Sequence, residues 1–429
     1  MITTKSFQFK SFIYPVKKYP STCIMFTLGV ILISSAAFFI GLSDDRGFNL
    51  KNYLIDSYIV GDFDSYEKSL AEIFKYLIDF FKSNDPQRIE FALGPIIPIF
   101  IWLSKSISNN FIPYYIFSIY ISYWLIALSL DLARSFSPWF ESQFLIKSFS
   151  IRLFNNFKIE LSKVEIFGII FNPILIYYVI FPGTDLPLAC LVLAIIKFFK
   201  KEKFLHCYLS YIVSLLIRPT GLFLFPSIVF IFYCEIKKSK KYKILIHIFL
   251  TTITLVFYKY YSGYAILNFQ DTLNFGGYGN GLSIWGLPVP GWIFNKEGNI
   301  TFLINKIASI IFTPFIQLIS IFGVRPSYST IFSGDASNSL SIVYIKPFLY
   351  AYIRIIWGFI IILPGFLLLF LNYIKSKKVD LLLFLIIIFS FAIGLSSSIP
   401  LERYLFFAFP ILSLVSISYY FKFMKISDT

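Results

Sequence analysis

Residues 166–203 read IFGIIFNPILIYYVIFPGTDLPLACLVLAIIKFFKKEK. An apolar run, Ile166–Phe181, reaches a tight Pro182-Gly183-Thr184-Asp185 turn, and a second run, Leu186–Phe199, returns to the lysines at 200–203. Each arm approaches the length that an α-helix needs to cross about 30 Å of hydrocarbon. Neither shows the period-two alternation of a barrel strand. The stretch therefore predicts a helical hairpin in a membrane, with its lysines in one aqueous phase and Asp185 in the other.

Working outward, the pattern repeats along the chain. Lysines gather at Lys5, Lys10, Lys17 and Lys18, at Lys237 to Lys243, at Lys375 to Lys378, and at Lys422 and Lys425. Between them lie apolar runs: Ser21–Leu42, Phe111–Leu132, Phe204–Ile217, Leu222–Tyr233, a run ending near Phe257, Pro347–Leu371, Leu381–Ile393 and Tyr404–Tyr420. Cytoplasmic connections are the lysine-rich ones, so both termini are expected in the cytoplasm. Ser21–Leu42 reads as a retained first helix, because no small-residue cleavage site follows Leu42. The prediction is an all-α, polytopic integral membrane protein with about ten transmembrane helices, one membrane domain over residues 1–429, in a bacterial inner membrane.

Composition agrees. Of 429 residues, 57% are hydrophobic and 14% charged, against about a quarter charged in an ordinary soluble protein. The net charge of +15 sits in short connections between apolar runs, which excludes a nucleic-acid groove and assigns the charge to topology. Cys23, Cys190, Cys207 and Cys234 lie within or at the ends of apolar runs, where neither a disulfide frame nor a zinc site is indicated. The two histidines, His206 and His247, stand apart beside basic connections. No P-loop, no dinucleotide glycine fingerprint and no nucleophile elbow occurs, which argues against a nucleotide-driven pump and a serine hydrolase.

The acids distribute otherwise. Asp44, Asp45, Asp56, Asp62, Asp64, Glu67, Glu72, Asp79, Asp85 and Glu90 crowd into the segment after the first apolar run, on the outer side. Within this first outer loop, taken as residues 43–110, Ser65–Phe81 carries an apolar stripe at Leu70, Ile73, Phe74, Leu77, Ile78 and Phe81, the pattern of a helix on the membrane surface. Phe91–Leu103, interrupted by Pro95 and Pro98, reads as a re-entrant or juxtamembrane piece. A second long outer region, residues 260–346, holds the glycine- and aromatic-rich stretch Asn274 to Trp292 and an apolar segment, Phe302–Phe322, placed on or partly in the membrane.

Asp62 and Asp64 offer hard oxygen donors for a divalent cation such as Mg2+ or Mn2+, or a general base for a hydroxyl. Asp64 and Ser65 equally suit the cap of the helix that begins there, with Glu67 in its first turn. Asp45 abuts the first run and Asp185 occupies a short turn facing the same phase; both also fit simple helix-end and turn roles. Arg218 and Arg403 fall on the outer side, where a guanidinium can grip phosphate as a fork or merely snorkel and pair. Tyr66, Trp285 and Trp292 are candidate sugar platforms among many packing aromatics.

These pieces, in their order, resemble the type C glycosyltransferase superfamily, polytopic enzymes that use polyprenyl-phosphate sugars and include mannosyltransferases and aminoarabinose transferases. The likeness rests on Asp64-Ser65-Tyr66, then Gly94-Pro95-Ile96-Ile97-Pro98, Asn172-Pro173 with Thr184-Asp185, Arg218-Pro219-Thr220-Gly221, and Glu402-Arg403-Tyr404 before a last run containing Pro410. The resemblance implies that Asp64, or else Asp62 or Asp45, is the catalytic carboxylate, that Asp185 is its acidic partner, and that Arg218 and Arg403 hold the donor phosphate. It implies sugar transfer to an envelope glycan, lipid or protein. Competing expectations are an envelope polysaccharide polymerase or ligase, dependent on late-loop arginines, and a lipid-linked glycan flippase, with buried mid-membrane charges.

Overall fold

The computed structural model describes residues 13–40, 96–108, 112–135, 147–154, 157–180, 183–218, 221, 224–236, 245, 247–252, 353, 356–376, 381–396 and 402–427. Helix dominates them. In chain order they form α1 (Tyr14–Lys18), α2 (Pro20–Ile40), α3 (Ile96–Ser108), α4 (Ile112–Arg134), strands β1 (Lys147–Phe154) and β2 (Phe157–Ser162), then α5 (Lys163–Ile170) and α6 (Pro173–Ile180). There follow α7 (Asp185–Lys200), α8 (Phe204–Ile217), α9 (Phe225–Ile236), a short α10 over residues 247–252, α11 (Leu363–Ser376), α12 (Leu381–Ser396) and α13 (Phe409–Ser427). A π-helical turn, Gly358–Ile362, leads into α11, and a 3₁₀ turn, Glu402–Ala408, into α13.

Among the described residues two helices are long and apolar enough to cross a membrane unaided, Ile112–Arg134 and Leu405–Phe423, and α5 with α6 makes a third when counted as one span bent by 46°. Among the described residues the other apolar stretches, including Pro20–Ala36 of α2, are shorter. Exposed side chains such as Leu32, Phe39, Ile107 and Phe249 face outward from the bundle, the arrangement that lipid, rather than water, accommodates. The apolar core gathers around α4, α7 and α13, where Leu125, Val192, Ile196, Leu412 and Leu414 are fully buried.

The bend between α5 and α6 has a local cause. Pro173 has no N–H to continue the ladder, and Asn172 caps the new helix by accepting from the amides of Ile174 and Leu175, both at 3.1 Å. Its Nδ2 donates to Gly168 O at 3.1 Å and to Ser413 Oγ at 3.2 Å, stitching the break to α13. Trp357 Nε1 donates to the same hydroxyl at 3.3 Å. The α7–α8 turn closes as a Schellman motif: Lys203 N donates to Phe198 O and Glu202 N to Phe199 O, both at 2.9 Å. Glu202 takes the left-handed position, with φ 54°.

One feature departs from the all-helical expectation. The lysine-side connection before α5 folds as an antiparallel β1–β2 hairpin, with Ser150 opposite Glu160 and Ile151 opposite Ile159. It is anchored where Glu160 N donates to Ser21 Oγ at 3.1 Å, at the start of α2. Ser162 then caps α5 in a capping box with Glu165. The piece around Pro98, expected to be re-entrant or juxtamembrane, is a helix, α3, laid on α4 with Phe100 stacked on Phe117 at 4.3 Å. The surface helix expected at 65–81 and the apolar segment at 302–322 lie outside the described residues.

Candidate functional site

α7 and α8 form a tight antiparallel hairpin whose closed end holds Lys200, Lys201 and Lys203. At its open end stand the two residues on which the site reading converges. Asp185 is the first residue of α7 and Arg218 follows the last residue of α8, so the antiparallel geometry brings them to one level. Arg218 Nη1 donates to Asp185 Oδ1 in an ion pair whose side chains are 9% and 7% exposed. The loop after Arg218 is drawn in against the same helix end: Gly221 N donates to Arg218 O at 2.9 Å. A Cβ on Gly221 would lie 2.8 Å from the Ser214 backbone, so only glycine permits this approach.

A carboxylate and a guanidinium so deeply enclosed are costly unless mutually satisfied. Their chemistry is that of a cation held in a fixed direction by an acid, able to offer a fork to a phosphate if the acid moves or shares it. Of the other residues singled out in the sequence, Asp45, Asp62, Asp64, Tyr66, Trp285 and Trp292 lie outside the described residues. Arg403 belongs to the turn Glu402–Ala408, whose later residues Leu405 to Ala408 are buried in the core. The carboxylates proposed to hold a divalent cation, Asp62 and Asp64, are not among those described. Among the described residues no three histidines, cysteines or acids gather around one point.

The lysine-bearing end carries polar clusters that the sequence reading passed over. Asp131, one turn from the end of α4, receives four donors: Lys18 Nζ at 2.5 Å and Tyr19 Oη at 2.6 Å on one oxygen, Tyr14 Oη and Lys197 Nζ, each at 2.6 Å, on the other. Burial pushes the Tyr19 phenol well above its ordinary range, and its hydrogen bond to Asp131 adds to that. Arg134 lies 5.2 Å over the Tyr19 ring and Lys197 4.6 Å over that of Tyr14. This cluster ties α1, α4 and α7 together. An acid inside an otherwise apolar run was the available signal.

Glu165 accepts from Ser162 N and Ser162 Oγ, both at 2.8 Å, and from Thr22 Oγ1 at 3.1 Å, joining α5 to α2. Glu235, at the end of α9, accepts from Tyr208 Oη at 3.1 Å and lies 2.9 Å from His247 Nδ1. The Tyr208 and His247 rings stack at 4.5 Å. His247 thus belongs to a carboxylate cluster despite its distance in sequence from His206, which instead lies against Phe198. All four cysteines, Cys23, Cys190, Cys207 and Cys234, are free thiols.

The described residues form a helical bundle with two helices long and apolar enough to cross a membrane, in which Asp131, Glu165, Asp185 and Glu235 are each paired at or near a helix end. No protein-family model, no curated protein and no solved structure matches the chain.

Proposed function

We propose that this protein is a membrane glycosyltransferase that moves a sugar from a polyprenyl-phosphate donor to a hydroxyl of an envelope glycan, lipid or protein, as the resemblance to the type C superfamily suggests. In this proposal the chain crosses a bacterial inner membrane about ten times, both termini lie on the lysine side, and chemistry takes place on the opposite side. The observation that supports it best is the Asp185–Arg218 pair. It brings an acid together with a guanidinium at the end of the bundle away from the lysines, which supports the reading that Arg218 meets the donor phosphate there.

The proposed reaction is a direct displacement. The acceptor oxygen attacks the anomeric carbon while Asp64, or else Asp62 or Asp45, takes its proton. The bond from that carbon to the lipid-phosphate oxygen breaks, and the electron pair leaves on the phosphate. Arg218 and Arg403 meet the charge that grows there. Asp185 holds Arg218 in direction, and Tyr66 and Trp285 offer faces to sugar rings.

The test is transfer from radiolabelled polyprenyl-phosphate sugars by the purified protein in lipid nanodiscs. One of the substitutions Asp64→Asn, Asp62→Asn and Asp45→Asn is expected to lower turnover by about 10²–10⁴, the usual contribution of a general base. Full transfer by all three variants would remove the proposed chemistry.

A further inference from the structure

Three buried hydroxyl oxygens, Tyr211 Oη on α8, Ser227 Oγ on α9 and Thr251 Oγ1 on α10, have no protein partner within hydrogen-bonding distance. Their residues are 0%, 0% and 8% exposed. One such atom is unremarkable, but three on adjacent helices call for a common cause, because buried polar atoms are normally satisfied by protein or by water.

Their placement supplies one. On α8, Tyr208, Tyr211, Ser214 and Arg218 recur at intervals of three or four residues and are all buried, a single polar stripe. At 1.5 Å per residue the stripe climbs about 15 Å from Tyr208 to Arg218. On α9, Ser227, Ile231 and Glu235 share one buried face, and Ser227 lies about 12 Å from Glu235 along the axis. On α10, Thr251 stands one turn beyond His247 on the same buried side. The lower end of this polar seam is the Tyr208–Glu235–His247 cluster and the upper end is Asp185–Arg218. Along the helix axes the unpartnered hydroxyls lie at levels between these two ends.

We propose that the seam between α8, α9 and α10 is a hydrated proton path linking Glu235 and His247 at the lysine end to Asp185 at the other. A proton taken up by the Glu235–His247 pair passes along waters held by Tyr211, Thr251, Ser214 and Ser227. Each hydroxyl accepts one proton as it releases another and ends unchanged, and the Asp185 carboxylate takes up the last proton and releases it to water at that end, returning to its ion pair with Arg218. No oxidant, reductant or further reactant is consumed. Among the described residues the titratable neighbours of Glu235 are Tyr208 and Cys207 from α8 and His247 from α10, and Asp185 faces Arg218.

The proposal rests on α8 and α9 crossing the membrane and is otherwise independent of sugar transfer. The full chain is reconstituted in vesicles of three parts phosphatidylcholine to one part phosphatidylglycerol, loaded with a pH-sensitive dye, and a potassium diffusion potential is applied with valinomycin. Wild type is expected to admit protons at least about tenfold faster than protein-free vesicles. Tyr211→Phe, which removes only an unpartnered oxygen and so spares folding, and Glu235→Gln should each abolish most of that excess, with Thr251→Val intermediate. Flux equal to that of empty vesicles, or unchanged in all three variants, overturns the path. An impermeant maleimide applied to Lys201→Cys and Thr220→Cys separates the failures: labelling from the same side refutes the crossing itself, whereas labelling from opposite sides without flux refutes the proton path alone.

Discussion

Removing the negative half of the Asp185–Arg218 pair leaves the Arg218 guanidinium enclosed at the end of α8 without the compensating Asp185 charge. Both side chains are less than one-tenth exposed, so neither water nor salt can take over the missing charge. Breaking such a buried pair costs about 3–5 kcal/mol, whereas replacing both members with neutral groups costs far less. Asp185→Asn and Arg218→Gln should therefore each destabilise the bundle by about 3–5 kcal/mol, and the double variant by no more than either alone. The cycle's interaction energy is then about as large as one single effect. Tryptophan fluorescence during dodecyl sulfate titration in mixed micelles measures it. Two singles that add, to within about 0.5 kcal/mol, in the double variant would show that the pair is not a unit and would refute the reasoning.

Other consequences follow from the opposite end. Lys197 and Lys18 both contact Asp131, but their side chains are 14% and 41% exposed. Lys197→Met should cost about 3 kcal/mol in the same titration and Lys18→Met under about 1 kcal/mol, as for an exposed pair. Burial lowers the Lys18 pKa, but hydrogen bonds to Asp131 and Tyr14 outweigh it and raise the group above its ordinary 10.5. A raised cation stabilises fully below its ordinary value and loses that contribution as pH climbs through the folded one. The Lys18→Met penalty should thus stay level from neutral pH upward and vanish only above about pH 10.5, measured by melting at stepped pH. Finally, a Cβ on Gly365 would lie 2.2 Å from Leu412 O, a backbone atom, while one on Gly168 would meet the Leu414 side chain at 2.8 Å. Gly365→Ala should force α11 and α13 apart at about 3 kcal/mol, and Gly168→Ala should cost about 1 kcal/mol, because a side chain can rotate away.

The helical character, the runs long and apolar enough to cross a membrane and their alternation with lysine clusters were all legible in the sequence. These follow from a local quantity, the hydropathy of a window about as long as the bilayer is thick. The sequence also placed Asp185 and Arg218 at neighbouring helix ends, because a short turn leaves an antiparallel hairpin no other arrangement. What it did not determine was pairing. That Asp131 collects Lys18, Lys197, Tyr14 and Tyr19, or that His247 seeks Glu235, depends on which faces of separate helices meet. No window of sequence encodes that choice. The β-hairpin at 147–162 also escaped, and a hydroxyl on α2 anchors it. Tertiary structure alone decided these contacts, since a buried charge must find its partner wherever the packing of the bundle brings one.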